Sequence, residues 1–289
     1  MIIFTRKHLF GSIALFLLTS CNRIDSILYA PPVTPEDFLH TQPWVQIKLG
    51  SVEFILCQPS STIIVHFLGL FTLFAGYRFL ANLNNQRVRL AWGVGLLLAG
   101  AGAILAGTSY QAFGYEIKCV GRESCSWTSC WEIIYLWFTS FAFNAFLVGS
   151  AFTSKKQEYR KAMIAYAMVN SISYSALLLY GVLLPYRSLM SFEFMVLSAV
   201  PTLFLLIGFH HYQFRKHKNN SDRILRNVWL IIIPVALAYS IWSGMNLTQI
   251  LWEKGIWFSE NDVLHIGMIF WVFYVIRFLS PDLSDPKQS

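Results

Sequence analysis

The chain has 289 residues, of which 55% are hydrophobic and 13% charged, with a formal net charge of +7. So large an apolar share leaves little room for a separate soluble domain. The positive balance does not call for nucleic acid, because the cations sort by side of a membrane rather than gather on one face.

Residues 1–21 read as an export signal, with basic Arg6 and Lys7 ahead of an apolar core from Leu9 to Leu18. Its end, Leu18-Thr19-Ser20-Cys21, resembles the lipobox of bacterial lipoproteins. That resemblance implies cleavage before Cys21 and lipidation of the cysteine. An uncleaved signal anchor fits the same residues, with Cys21 a chance neighbour. Both readings put residues 22–60 outside as a short external segment. Ala30-Pro31-Pro32 and Pro35 punctuate it, and Thr34 is placed to cap a brief helix with Pro35 at its first position. The alternation in Trp44-Val45-Gln46-Ile47-Lys48-Leu49 suits a short strand or a segment skimming the interface.

Residues 61–280 hold seven apolar segments, at 62–80, 90–108, 131–152, 162–184, 192–209, 228–245 and 263–279. Most reach about 17–23 residues, enough to cross roughly 30 Å of hydrocarbon. The expected fold is all-α, an integral membrane seven-helix bundle, with residues 281–289 as a cytoplasmic tail. If the first segment enters from outside, sixteen Lys and Arg fall on the inner side and six on the outer. Acidic residues split four and eleven, which leaves net charges of +12 inside and −5 outside. This is the positive-inside pattern, and it predicts a bacterial inner-membrane protein with its mature amino terminus outside and its carboxyl terminus in the cytoplasm.

The second segment carries Gly95, Ala99, Ala103 and Gly107, a small residue at every fourth position, which lets another helix approach closely. Pro201 and Pro234 should kink the fifth and sixth segments. Trp127, Trp131, Trp252 and Trp257 suit an outer aromatic belt. Leaving Cys21 aside, Cys57, Cys119, Cys125 and Cys130 all fall outside, an even number that reads as two disulfides on an oxidising face. Free thiols and a zinc site are the alternatives, although the spacing lacks paired Cys-x2-Cys ligands.

Polar residues within spans are costly and face the bundle interior or water. Here they gather in the outer half: His66, Ser109, Gln111, Glu116, Glu132, Glu193, Tyr239, Ser243, Asn246, Glu260, Asn261, Asp262 and His265. Deeper lie Asn144 and the run from Asn170 to Ser175. The pattern predicts a polar crevice open outward and closed toward the cytoplasm. His66 and His265 come from opposite ends of the chain, and Asp262 precedes His265 by three residues, on one helical face. Such a carboxylate would orient the imidazole for metal binding or proton transfer. A hydrogen-bonded core histidine is the plainer account of the same residues. His210-His211, next to Arg215 and Lys216, read as interface residues. No Gly-x-Ser-x-Gly elbow, phosphate loop or His-Glu-x-x-His helix occurs, and no inverted repeat is evident.

Seven spans, an external amino terminus and a polar opening to the last helix resemble the ceramidase-like superfamily of membrane hydrolases, which includes alkaline ceramidases and adiponectin-receptor-like proteins. The resemblance implies a zinc ion held by a histidine near the second or third helix and by a His-x3-His pair on the last, with Ser and Asp close by. Asn261-Asp262-Val263-Leu264-His265-Ile266-Gly267-Met268-Ile269 matches the last-helix segment with one histidine. Gly107-Thr108-Ser109-Tyr110-Gln111-Ala112-Phe113-Gly114 corresponds to the Ser/His segment, with Gln111 in the histidine's place. Two functions follow. One is a binding or sensory protein that keeps the fold without the metal and takes membrane lipid or a lipid-like small molecule. The other is a hydrolase of a lipid amide or ester, with His66 and His265 on zinc and Asp262, Ser109 and Glu116 as its acid–base and assisting groups. Small-solute transport is a third class.

Overall fold

The structure is a computed structural model that describes residues 23–285. The signal, lipobox and anchor readings of residues 1–21, and with them Cys21, lie outside the described residues. Among the described residues, seven helices are long and apolar enough to cross a membrane: Pro59–Ala81, Arg87–Ala112, Cys130–Phe152, Gln157–Leu183, Phe192–His217, Asn220–Gly244 and Glu260–Asp282. These are spans 1 to 7, one for each expected apolar segment. Several run further than the apolar pattern. Span 5 continues through Arg215 and Lys216 to end where Lys218 turns left-handed, at φ 53°. Span 6 starts at Asn220 because the Asn219 side chain accepts from the Asp222 N–H at 2.7 Å. Hydropathy registers the apolar middle, while hydrogen bonding carries the helix on into the polar boundary.

Pro234 breaks span 6 and Pro201 does not break span 5. The sixth span divides at Ile231, between Asn220–Leu230 and Ile232–Gly244. The proline ring clashes with the carbonyl four residues earlier, here Leu230, where the first segment ends. Spans 1, 2 and 3 meet closely where span 2 has glycine. A methyl group added at Gly100 would stand 2.8 Å from the Gly69 carbonyl oxygen and the Leu73 nitrogen. One added at Gly95 would stand 2.6 Å from the Phe146 ring. Toward the end rich in Lys and Arg, hereafter the basic end, a cluster of tilted and edge-on aromatic rings fills the bundle. Trp92 lies 4.9 Å from Phe146 and 5.5 Å from Trp229, and Phe146 lies 6.0 Å from Trp271, ring centre to ring centre.

The other end is capped. Thr34 does cap a short helix, α1 (Pro35–His40), in a reciprocal capping box with Asp37. Strand β1 (Trp44–Leu49) forms, and it pairs antiparallel with β2 (Val52–Cys57), a second strand that was not expected within the external segment. Gly50, at φ +63°, supplies the left-handed residue a two-residue hairpin turn requires. The amino-terminal segment is sewn to the loop between spans 2 and 3. Trp127 N–H donates to the Ile27 carbonyl at 2.7 Å, and Cys125 N–H to the Val33 carbonyl at 2.8 Å. Ile24 and Ile27 seat on Leu136, Tyr174, Leu178 and Val182 of spans 3 and 4.

Two expectations need correction. The four external cysteines do not form two mutual pairs. Cys119 bonds Cys125 and Cys130 is disulfide-bonded, but Cys57 is a free, fully buried thiol in the apolar floor of the cap. His210 is not an interface residue either. It is 0% exposed and bonded to Ser150, because its face of span 5 turns onto span 3 while His211 faces out.

Candidate functional site

Span 2 ends in a π-helical turn, Gly107–Ala112, and the extra residue per turn aims Ser109 inward at the start of span 3. Ser109 Oγ donates to Glu132 Oε1 at 2.9 Å and lies 2.6 Å from Ser129 Oγ. Thr128 Oγ1 donates to Glu132 Oε2 at 2.9 Å. Lys118 forms an ion pair with Glu132 Oε1 and stands 4.9 Å from the centre of the Tyr110 ring. Ser109 is 0% exposed and Glu132 1%. A carboxylate in the first turn of a helix, with both oxygens engaged and a cation against it, is a fully satisfied buried charge. Ser109 gives its proton to that carboxylate and has no open space before it, so it is not set as a nucleophile toward a substrate. Glu116 acts elsewhere: its Oε1 accepts the Ile55 N–H at 2.8 Å and ties strand β2 to the loop.

A second cluster joins the starts of spans 1 and 7. Ser61 Oγ and Ser259 Oγ lie 3.1 Å apart, and Ser60 donates to the Trp257 carbonyl. Asp262 closes a capping box, with Oδ2 accepting the Ser259 N–H at 2.7 Å. His66 Nδ1 lies 2.7 Å from the Thr62 carbonyl oxygen of its own helix, and its Nε2 lies 3.4 Å from Thr108 Oγ1. Since the Thr108 hydroxyl already donates to the Ile104 carbonyl at 2.7 Å, the His66 Nε2 lone pair is left over. Asp262 Oδ1 and His265 Nδ1 both lack partners, so the expected Asp262–His265 hydrogen bond through that nitrogen is not made. Among the described residues, no three His, Cys, Asp or Glu side chains stand where they would hold one metal ion. The residues present do not fit the zinc centre that the resemblance implies.

The deep polar residues converge instead. Asn170 Nδ2 on span 4 donates to Asn144 Oδ1 on span 3 at 3.1 Å and to the Ser198 carbonyl on span 5 at 3.4 Å. Beside them a groove of about 920 Å³ opens between spans 2, 3 and 4. Its walls are chiefly apolar, including Val94, Leu98, Val148 and Ile172; Asn144, Ser171 and Ser175 lie within it, and Arg87 stands at its basic end. Asn144 and the 170–175 run were visible in the sequence. Ser140, Ser198 and Thr202 were missed, although Ser140/Asn144 and Ser198/Thr202 share the four-residue spacing that places polar groups on one helical face. No family model matches the chain, and neither curated proteins nor solved structures include a match to it.

Proposed function

We propose that this multi-pass membrane protein is a non-catalytic binding or sensory member of a ceramidase-like group, with its capped end outside the bacterial inner membrane. Its ligand is a lipid-like molecule drawn from the bilayer. The observation that carries this reading is the 920 Å³ groove between spans 2, 3 and 4, chiefly apolar and within the size range of ligand sites, roughly 300–1,000 Å³. The engagement of the candidate catalytic groups in structural hydrogen bonds supports it further. Ser109 donates to Glu132, Glu116 holds the hairpin, and Asp262 caps its own helix.

The hydrolase is the second reading. His66 Nε2, held only by a long 3.4 Å contact to Thr108, and the unpartnered atoms of Asp262 and His265, at the adjoining starts of spans 1 and 7, favour it. Metal analysis of detergent-purified protein separates the two. The binding reading expects metal-free protein whose stability does not change on His265→Ala, and co-purified lipid that is lost on filling the groove with Val94→Trp. Stoichiometric zinc that disappears on His265→Ala would establish the hydrolase instead.

A further inference from the structure

The interface of spans 3, 4 and 5 concentrates buried polar atoms that have no partner. They are Ser140 Oγ and Asn144 Nδ2 on span 3, the Tyr174 hydroxyl on span 4, and Thr202 Oγ1 and His210 Nδ1 on span 5. None of these residues is more than 3% exposed. Buried polar groups are almost always satisfied, and internal water is the usual partner when protein is not. The spacing is regular as well. Ser198, Thr202, Leu206, His210, Gln213 and His217 recur at intervals of four, four, four, three and four, which is one face of span 5.

The face has three levels. At the upper one, Asn170 links Asn144 of span 3 to Ser198 of span 5, each four residues along its own helix from Ser140 or Thr202. At the lower one, His210 Nε2 lies 2.9 Å from Ser150 Oγ. Between them, Leu147 and Leu206, each 0% exposed, occupy a single turn. Below His210, Gln213 and His217 line a polar pocket of about 380 Å³ at the basic end. An ionisable side chain at this depth is expected to have a role, and an apolar constriction between two wet regions gates by dewetting.

We propose that spans 3, 4 and 5 enclose a water-borne proton path, gated by Leu147 and Leu206, with His210 as its proton acceptor facing the basic-end pocket. A hydronium ion in the pocket gives its proton to the Nδ1 lone pair, leaving water and an imidazolium. Nε2 then releases its proton to Ser150 Oγ, whose own hydroxyl proton passes to water beyond the leucines. Only N–H and O–H bonds change, and the imidazole ends neutral with its proton on the other nitrogen. The charged and titratable groups nearest this route occupy its mouth. His217 and Asp222 face each other at 3.3 Å, Lys155, Asp282 and Asp285 line the same pocket, and Arg226 lies against Phe214 at 4.2 Å. From span 2, Arg89 is bound to the Ser280 carbonyl at 2.7 Å. None of them is hydrogen-bonded to His210.

The test uses the full chain in phosphatidylcholine–phosphatidylglycerol liposomes holding a trapped pH dye, with proton entry driven by a potassium diffusion potential. Leu206→Ala should raise proton entry at least tenfold over the wild type, and Leu206→Ala with His210→Gln should return it to the rate of protein-free vesicles. A Leu206→Ala protein as tight as protein-free vesicles overturns the proposal, and so does a leak that survives the double substitution. Should Leu206→Ala fail to fold, solid-state NMR of the wild type decides. Water-to-protein polarisation transfer reaching the His210 and Thr202 side chains supports the path, and dry side chains overturn it.

Discussion

Glu132 and Lys118 show how a residue's role depends on a partner far from it along the chain. Glu132 was legible as a polar residue opening span 3. Its cation was not, because Lys118 lies in a loop whose return to the helix depends on the π turn and the Cys119–Cys125 bond. Removing one member of a buried pair strands the other. Glu132→Gln should therefore cost about 3–5 kcal/mol of stability, with Lys118→Met/Glu132→Leu recovering most of it, both read as thermal unfolding in detergent. Cys57 was misjudged for a related reason, since counting cysteines on one face says nothing of which side chains meet. Burial, with the nearby Glu116 adding and a hydrogen bond from the Tyr115 backbone opposing, pushes its thiol pKa up. The folded protein therefore holds less thiolate at any pH than a free cysteine of pKa about 8.5. Maleimide should leave Cys57 unmodified at pH 7 and at pH 9 in folded protein and label it once the cap is unfolded, as mass spectrometry of the labelled peptide would show.

At the scale of elements, all seven spans could be read from hydropathy because burial in lipid rewards unbroken apolar length. Their ends could not, since a cap such as Asn219 or a proline such as Pro234 acts through individual hydrogen bonds. The hairpin was half legible: β1 alternates, whereas β2, Val52-Glu53-Phe54-Ile55-Leu56-Cys57, loses the alternation after Phe54 and was not singled out as a strand. The small-residue pattern of span 2 was read correctly as a packing face, and the structure adds which helix each glycine admits. Gly100 touches the span 1 backbone itself, so neither partner can yield by rotating a side chain. Gly100→Leu should separate spans 1 and 2 and lower the melting temperature measurably. Gly208→Leu, at a position with nothing within 4 Å, should leave it unchanged. Equal effects at the two positions would remove close backbone approach as the cause.

For the whole molecule, the described residues set thirteen Lys and Arg toward one end of the bundle and eleven carboxylates toward the other, where the cap lies. Under the positive-inside rule that sorting supports the proposed orientation, with the capped end outside and the basic-end pocket toward the cytoplasm. The outward-half polar residues were legible as a group, but not their outcome. A sequence lists polar groups without showing that a folded cap will bring Ser129, Thr128 and Lys118 down to satisfy them. The side from which a ligand reaches the groove follows from this orientation, and labelling of Lys155→Cys in the turn between spans 3 and 4 with a membrane-impermeant maleimide tests it most directly. Modification in inverted membrane vesicles and none in intact spheroplasts is the predicted result; modification in intact spheroplasts would contradict it.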